Sequence, residues 1–325
     1  MNTDKLSNKR IKKTRQKETD PKQYTNRQKT NRTIHIAVVT DNNYIIPLCV
    51  MLTSLFENNK QLKIQIHVLY FKLKHKNKDI IIELIQRYKH YVKFHNININ
   101  KVSSYFKDFG HVSKTTYLKF YIPKVVKDVD RILYLDSDII VRGSLDRLWN
   151  TKLKDKILGA ITECSDNQAN NLGYNHKYGY FNAGVLLIDI VKWKNLDISN
   201  KLIEYVKNNQ NKIVYWDQDA FNAILHSKWL HLPAIYNFQT YMYLDKNKYI
   251  KDKEPIIVHY TTDAKPWSFR CNHPLRNEFW KYLSMTRWKN YKIEDKTPKN
   301  YIYHYMPIKL DIKLSAFIRK LQGKP

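Results

Sequence analysis

Two aspartates that follow an apolar run are the residues best suited to chemistry in this sequence. Asp136 and Asp138 lie in the segment RILYLDSDIIVRGSLDRLW, directly after residues 132–135, which are typical of a buried strand. Two carboxylates held close together repel each other, and one pKa would rise unless a cation compensated the charge. A divalent cation that prefers oxygen ligands, such as Mg²⁺, Ca²⁺ or Mn²⁺, would do so and would still accept phosphate oxygens. The pair indicates either a metal and diphosphate site or two solvated turn residues.

A second apolar run ends in side chains that would complete such a site. The segment PIIVHYTTDAKPW contains His259 at the end of the run and Lys265 six residues later. Imidazole is a reasonable third ligand for Mn²⁺ and a poor one for Ca²⁺, and an ammonium group can pair with a phosphate as a point charge. A lone histidine is more often structural and an exposed lysine is usually solvated, so this prediction depends on the combination with the aspartate pair.

Two other polar segments carry candidate substrate ligands. In TDNNY, Asp41 can accept hydrogen bonds from a pyrimidine or a ribose, and Asn43 can donate one; the alternative is a plain turn that leads into a helix. In YWDQDAFNAIL, Asp217, Gln218 and Asp219 open a helix. Capping of that helix would account for at least one of the two carboxylates.

These segments need a scaffold that brings the ends of strands together. The hydrophobic pattern predicts strands at 34–39, 64–71, 92–99, 131–135, 157–162, 180–190 and 255–260, and helices from about 47 and at 78–88, 115–126, 199–208 and 217–226. Alternating helices and apolar strands favour an α/β fold with a mostly parallel sheet covered on both faces. Ligands of such sheets collect at the carboxyl ends of the strands, where TDNN and DSD would lie.

Six segments in this order resemble the successive motifs of glycosyltransferase family 8, whose members are retaining enzymes with the Rossmann-like GT-A fold. They are TDNNY, TTYLKFYIP, ILYLDSDIIVRGSLDRLW, GYFNAGVLLIDIVKW, YWDQDAFN and HYTTDAKPW, and they extend from about residue 34 to residue 267. Bacterial lipopolysaccharide α-galactosyltransferases and α-glucosyltransferases belong to this family. The order of six motifs is specific, although each motif alone is not.

Carried over position by position, the resemblance implies a role for most of the polar residues in these motifs. It implies metal ligands at Asp136, Asp138 and His259; uridine contacts at Asp41, Asn43, Tyr44 and Ser137; a diphosphate contact at Lys265; donor-sugar or acceptor contacts at Asn182 and Ala183; and further substrate contacts at Thr40, Lys119, Thr262 and Asp263. Asp217 and Gln218 are the implied catalytic residues: Asp217 would hold sugar hydroxyls, and Gln218 would lie on the β face of the anomeric carbon.

Three positions depart from the family pattern. Thr262 replaces a frequent glycine, so a backbone contact to phosphate must tolerate a Cβ atom. Lys119 stands where some bacterial members have arginine, so bidentate geometry is lost there. Glu163 stands where a related galactosyltransferase has aspartate, which leaves the choice between galactose and glucose open.

The resemblance implies a retaining hexosyltransferase that moves galactose or glucose from UDP-galactose or UDP-glucose to a saccharide acceptor, such as lipopolysaccharide or another cell-surface glycan. Mn²⁺, with Mg²⁺ as the alternative ion, would stabilise the departing UDP. Because Gln218 is an amide and a poor nucleophile, we expect a front-face displacement rather than a glycosyl-enzyme intermediate.

Two other functions compete with this interpretation. A sugar-1-phosphate nucleotidyltransferase would share the sheet and the metal, but it normally needs a glycine-rich loop where this chain has TDNNYIIP. A catalytically weak transferase body that acts as a basic membrane- or nucleic-acid-binding protein would explain the charge. It would not explain three intact metal-ligand positions.

The positive charge is concentrated at the two ends of the chain. Of the net charge of +28, residues 1–32 carry +8 and residues 286–325 carry +7, which leaves +13 for the middle. We expect a disordered basic arm at 1–32, a GT-A domain at 33–285 and a basic amphipathic tail at 286–325. With only seven glycines in the chain and no GxGxxG or Walker A spacing, Rossmann oxidoreductases, protein kinases and P-loop ATPases are excluded.

The tail has the pattern of a helix that lies on a membrane surface. Leu310, Leu314, Phe317, Ile318 and Leu321 share one helical face, and four basic residues lie largely elsewhere. The alternative is a surface helix whose apolar face packs on the body. The sequence shows no signal peptide and no membrane span, and its three separated cysteines are typical of reduced thiols. We expect a cytoplasmic protein, peripheral on the anionic inner face of the membrane, without a specific nucleic-acid partner.

Overall fold

A seven-stranded sheet forms the framework of the chain. The computed structural model describes residues 33–100, 103–106, 114–163 and 166–321. The strands are β1 (Ile34–Thr40), β2 (Ile64–Tyr70), β3 (Tyr91–Asn96), β4 (Arg131–Leu135), β5 (Ile139–Val141), β6 (Leu158–Glu163), β7 (Tyr180–Asp189), β8 (Trp229–His231), β9 (Phe238–Gln239) and β10 (Ile257–His259). The large sheet has the order β3-β2-β1-β4-β7-β6-β8, and among these described strands only β7 runs antiparallel to its neighbours. The prediction of a mostly parallel α/β sheet is confirmed.

Helices connect most of the strands. In the described part of the chain they are α1 (Ile45–Glu57), α2 (His75–Arg87), α3 (Ile122–Val125), α4 (Asp146–Trp149), α5 (Asp166–Asn171), α6 (Ile190–Asn195), α7 (Ile198–Asn208), α8 (Trp216–Leu225), α9 (Lys246–Ile250), α10 (Arg276–Leu283), α11 (Pro298–Tyr305) and α12 (Ile308–Leu321). The helix predicted at 115–126 differs: a 3-10 helix at Lys114–Tyr121 precedes the short α3. Pro123 lies in the first turn of α3, where its missing N–H and fixed φ are tolerated.

Both faces of the sheet are covered, as the near-continuous apolar strands predict. Successive side chains of β1 alternate between two cores: Ile36 and Val38 pack with α1 and α2, whereas Ala37 and Val39 pack with α7, α8 and the 3-10 helix at Lys114–Tyr121. A strand rises about 3.3 Å per residue with side chains on alternate faces, so a buried strand must be apolar on both. Polar residues are therefore left for the strand ends.

A second, three-stranded sheet with the order β5-β10-β9 was not predicted. β5 follows the aspartate pair and runs antiparallel to β10, so that Ile139 pairs with His259; β9 lies parallel to β10 on its other edge. β10 falls within the strand predicted at 255–260, but its partners β5 and β9 have only three and two residues, which is too short to leave a period-two pattern in the sequence. This small sheet brings the two candidate motifs together.

The C-terminal helices leave apolar side chains open to solvent. On α12, Asp311 is buried and accepts a hydrogen bond from Asn272 (3.0 Å), whereas Leu310, Phe317 and Ile318 are 53%, 59% and 36% exposed. No helix in the described ranges is both long and apolar enough to span a membrane.

Two of the cysteines, Cys49 and Cys271, are buried free thiols. Burial raises the pKa of the Cys49 thiol to about 12, so this group stays protonated and unreactive near neutral pH. The expected basic arm at 1–32, Cys164 and the last residues of the tail, 322–325, lie outside the described residues.

Candidate active site

Strand pairing sets the position of the aspartates and of His259. The Asp136 N–H donates to the carbonyl oxygen of Gly184 (2.9 Å), which extends the pairing of β4 with β7 by one residue. The Tyr260 N–H donates to the carbonyl oxygen of Asp138 (3.2 Å), directly after the pairing of His259 with Ile139. Backbone hydrogen bonds of their neighbours thus hold Asp138 and His259, 121 positions apart in the chain, next to each other.

Asp136, Asp138 and His259 form a compact cluster of potential metal ligands. One atom of each lies within 4.8 Å of the others, and His259 Nε2 lies 3.3 Å from Asp138 Oδ1 and 3.8 Å from Asp136 Oδ2. Two carboxylate oxygens and one imidazole nitrogen around a common point fit a divalent cation. The juxtaposition that the sequence predicted is therefore present.

Two buried lysines neutralise part of the negative charge of the cluster. Lys265 Nζ lies 2.6 Å from Asp138 Oδ2 and donates to the carbonyl oxygen of Tyr260 (2.6 Å). Lys119 Nζ lies 3.2 Å from Asp136 Oδ1 and 2.8 Å from Asp217 Oδ2. Lys119 and Lys265 are only 4% and 6% exposed, so the alternative of a solvated surface lysine is wrong for Lys265. The carboxylates of Asp136, Asp138 and Asp217 outnumber the two ammonium groups, so the cluster has a net negative charge that a bound cation would compensate.

These ion pairs keep the cluster charged despite its burial. Burial alone would raise the pKa of the Asp138 carboxyl, but the Lys265 ammonium beside it holds that pKa well below its usual range. Burial alone would lower the pKa of Lys119, but Asp136 and Asp217 hold it above its usual value. Both groups are ionised at neutral pH and are available to an ionic ligand.

A densely hydrogen-bonded group on β7 and α8 adjoins the cluster. Gln218 Oε1 accepts from the Ala183 N–H and from Asn182 Nδ2 (both 3.1 Å), and Gln218 Nε2 donates to Glu163 Oε2 (2.9 Å). Burial raises the pKa of the Glu163 carboxyl, against the effect of its hydrogen bonds from Asn182 and Gln218. The structure thus places the predicted catalytic amide beside both predicted β7 residues.

The two carboxylates that open α8 have different surroundings. Asp217 accepts a hydrogen bond from Thr116 Oγ1 (2.6 Å) besides its ion pair with Lys119, and its pKa is raised by burial. Asp219 Oδ2 accepts from the backbone N–H groups of Val214 and Tyr215 (both 2.6 Å), which precede α8, and no side chain caps the N-terminus of this helix. Asp219 therefore has a structural role, in holding the loop that leads into α8, but it is not the predicted N-cap.

The predicted nucleotide residues border the cluster at the end of β1. Asp41 Oδ1 accepts from the backbone N–H groups of Asn43 (2.8 Å) and Tyr44 (3.2 Å), so this carboxylate also shapes the turn into α1. Ser137 Oγ donates to the carbonyl oxygen of Val39 (3.1 Å), next to the buried Thr40. Burial raises the pKa of the Tyr44 hydroxyl, and the negative charges of Asp138, Asp41 and Asp136 raise it further.

The predicted site residues in the loop after β10 differ in position: some face the site and others face the surface. Lys265 turns inward, whereas the exposed Asp263 pairs with Arg270 (3.2 Å). Thr262 is half-buried beside it. Trp267 packs edge-on against Tyr44 with ring centroids 6.0 Å apart, which ties this loop to the one after β1.

Sequence reasoning missed three side chains that hold the predicted ones. Asn237 Oδ1 lies 2.9 Å from His259 Nδ1, Tyr134 donates its hydroxyl to Asp136 Oδ1 (2.6 Å), and Thr116 contacts Asp217. Tyr134 and Thr116 lie within the motifs named above, two residues from Asp136 and three residues from Lys119 respectively. Asn237 lies in AIYNFQTYMYL, which also contains Gln239, and nothing in this segment distinguishes Asn237 as a residue of the site.

Gly184 is required by the close approach of the metal-ligand side chains to β7. A Cβ atom at this position would lie 2.3 Å from His259 Cε1 and 2.7 Å from Asp136 Oδ2. Contacts that short force the imidazole and the carboxylate apart. The glycine of the YFNAG motif therefore has a packing reason that involves the cluster itself.

Comparison with known proteins gives a consistent result. A model of the family described as "Glycosyl transferase family 8" matches residues 35–271. General stress protein A of Bacillus subtilis is 28% identical over 271 residues, which are 78% of this chain and 94% of that protein. The lipopolysaccharide glucosyltransferase WaaO of Escherichia coli is 27% identical over 275 residues, 80% of each chain.

A solved structure shares the fold. The galactosyltransferase LgtC, crystallised with donor and acceptor sugar analogues, superposes with a TM-score of 0.73 and 25% identity, over 82% of this chain and 100% of that one. The expected GT-A architecture, a mostly parallel sheet flanked by helices, is thereby confirmed.

Replacing Gly184 by alanine should weaken the binding of a divalent cation by the candidate cluster. The new Cβ atom would displace His259 and Asp136, and overpacking of this kind costs about 1–3 kcal/mol of stability. We expect Mn²⁺ affinity, measured by titration calorimetry, to fall at least about tenfold, as when a ligand is misplaced. Gly143→Ala is the matched control, because its Cβ atom would meet only Ile256 at 3.6 Å or more. Equal Mn²⁺ affinity for the Gly184→Ala protein and the wild type would contradict the claim that a Cβ atom at this position displaces His259 and Asp136.

Proposed function

The chain belongs to glycosyltransferase family 8, and we propose on this premise that it is a retaining, UDP-sugar-dependent hexosyltransferase. The observation that carries the proposal is the convergence of Asp136, Asp138 and His259 beside the buried Lys265 and Lys119. A cluster of metal-ligating side chains and buried lysines at the carboxyl ends of parallel strands is suited to bind a divalent cation together with the diphosphate of a nucleotide sugar. The similarity to a galactosyltransferase and a glucosyltransferase supports UDP-galactose or UDP-glucose as the donor.

A divalent metal is the cofactor that this donor set fits, Mn²⁺ in our proposal and Mg²⁺ as the alternative ion. When bound, such an ion supplies Lewis-acid stabilisation of the charge that develops on the departing UDP. Asp136, Asp138 and His259 Nε2 would hold it. Lys265 adds a positive charge on the same side, and its ion pair with Asp138 sets its position before a phosphate arrives.

Around the sugar, the chain supplies fixed hydrogen-bonding groups. Asp217 is locked between Lys119 and Thr116, which suits it to orient sugar hydroxyls rather than to attack carbon. Gln218 has both ends of its amide engaged, its oxygen by Ala183 and its nitrogen by Glu163. An amide in this state is a poor nucleophile, which supports a front-face displacement in which the leaving phosphate accepts the acceptor proton. Detection of a glycosyl adduct on Asp217 would overturn that mechanism.

The acceptor in our proposal is a saccharide of lipopolysaccharide or of another cell-surface glycan. The similarity over 80% of each chain to an enzyme named for lipopolysaccharide supports this class. The proposed location is the cytoplasmic, anionic face of a membrane. It is supported by the exposed Leu310, Phe317 and Ile318 on a helix that also carries lysines.

Mn²⁺-dependent release of UDP from a UDP-hexose tests the activity. We expect UDP without pyrophosphate, and an Asp138→Asn protein about 100- to 1000-fold slower, because one electrostatic group in the site is lost. Asp155→Asn, at an exposed carboxylate, is the control and should match the wild type. Release of pyrophosphate would favour a nucleotidyltransferase. If the protein binds Mn²⁺ but turns over no UDP-hexose, the result would favour the alternative of a catalytically weak transferase body that acts as a membrane- or nucleic-acid-binding protein.

Removing the apolar side chains of α12 tests the proposed membrane contact. A protein with Leu310, Phe317 and Ile318 replaced by serine should lose sedimentation with anionic vesicles while retaining UDP release, because these side chains are exposed. Tyr178→Ser with Val191→Ser removes exposed apolar groups elsewhere and serves as the control. If the triple variant still sediments like the wild type, α12 is not the attachment site.

A further inference from the structure

A chain of buried polar side chains connects the metal-ligand cluster to the catalytic amide. His259 Nδ1 lies 2.9 Å from Asn237 Oδ1, and Asn237 Nδ2 donates to Asn182 Oδ1 (2.8 Å). Asn182 Nδ2 in turn donates to Gln218 Oε1 (3.1 Å) and to Glu163 Oε2 (3.0 Å). His259, Asn237 and Asn182 are all buried. Water is therefore largely excluded as an alternative partner.

A backbone amide fixes the direction of the hydrogen bonds toward His259. The Gly184 N–H can only donate, and it lies 2.9 Å from Asn182, so the facing atom of Asn182 must be its oxygen. The atom of Asn237 that faces this oxygen must then be its NH₂ group, which leaves the Asn237 oxygen toward His259. His259 Nδ1 must donate to that oxygen, so the neutral imidazole carries its hydrogen on Nδ1.

The backbone N–H of Ala183 fixes the orientation of the Gln218 amide, at the other end of this series of hydrogen bonds. The Ala183 N–H donates to Gln218, so the facing atom is Oε1, and Gln218 Nε2 must point to Glu163 and to the Tyr180 oxygen. Tyr180 can accept there because its own hydroxyl hydrogen goes to Asp219 Oδ1 (2.7 Å). The donors and acceptors assigned from the two backbone amides therefore agree along the whole series of hydrogen bonds from His259 to Gln218.

We propose that Asn237 is a positioning residue that keeps the Nε2 lone pair of His259 directed at the aspartate pair and links this imidazole, through Asn182, to Gln218. Without the Asn237 oxygen, the imidazole hydrogen would be better placed on Nε2, where Asp138 Oδ1 lies 3.3 Å away. That tautomer occupies the lone pair that a cation needs. The role in metal binding rests on the proposed function, whereas the tautomer does not.

The surroundings of Asn237 differ from those of buried asparagines that only support the fold. Asn59 donates to the carbonyl oxygens of Leu55 (2.9 Å) and Gly143 (3.2 Å) and accepts from the backbone of Leu145 (2.8 Å). Asn237, in contrast, donates to one side chain of the site and accepts from another. An equally buried amide with purely backbone partners is thus available as a matched control.

The tautomer can be measured in the metal-free, full-length protein by long-range ¹H–¹⁵N NMR of the imidazoles, with His259→Gln identifying the signals. We expect Nδ1 of His259 to carry a hydrogen in the wild type, and the imidazole of Asn237→Ala to carry its hydrogen on Nε2 alone. A wild-type imidazole whose only hydrogen is on Nε2 would overturn the proposal, whether or not the protein binds metal or turns over sugar. This measurement decides the question even if Asn237→Ala does not fold.

Mn²⁺ affinity provides the second readout, by titration calorimetry without donor. Asn237→Ala should bind Mn²⁺ about 10- to 100-fold more weakly, the usual effect of losing the partner of a ligating histidine. Asn237→Asp restores an acceptor for Nδ1 but sets a second oxygen against Asn182 Oδ1, so it should recover only part of the affinity that Asn237→Ala loses. Asn59→Ala should lower the melting temperature without weakening Mn²⁺ binding.

Two results would overturn the proposal: an Asn237→Ala protein that binds Mn²⁺ like the wild type, or losses of affinity that follow melting temperature across all variants, Asn59→Ala included. The second result would assign Asn237 a purely structural role. A wild type that binds no Mn²⁺ would count against the proposed function instead.

Discussion

The site depends on the antiparallel pairing of two three-residue strands, β5 and β10. The pairing of Ile139 with His259 places an imidazole beside a carboxylate from 121 residues earlier in the chain, and the hydrogen bond from Asp136 to Gly184 fixes the other carboxylate against β7. Backbone hydrogen bonds have little freedom of geometry, so a one-residue slip would turn His259 to the other face of the small sheet. The small sheet therefore determines whether a cation site exists.

Electrostatics explains how like charges remain together at that point. Asp136, Asp138 and Asp217 repel one another, and the buried Lys119 and Lys265 offset most of that repulsion. Breaking a buried pair leaves an uncompensated charge, which costs about 3–5 kcal/mol, so these lysines and carboxylates are needed together. The three carboxylates exceed the two ammonium groups by one negative charge, which in the proposed reaction a bound divalent cation would compensate.

The large sheet and the motif residues could be predicted from the sequence, and the local contacts could not. β1, β2, β4 and β7 are long apolar runs, and most predicted site residues fall at their ends, where parallel strands collect polar groups. β5 and β9 are too short for periodicity to reveal. The function of Asn237 depends on a partner 22 residues away and on the direction of a backbone amide at Gly184, and neither is visible in its own segment.

The central claim is that Asp136, Asp138 and His259 share one divalent cation. The most direct measurement is an anomalous difference map at the manganese edge from crystals of the full chain soaked in Mn²⁺. The account predicts a single strong peak within coordination distance of Asp136, Asp138 and His259 Nε2. A map with no peak between these three side chains, at a concentration that saturates the protein in solution, would contradict it.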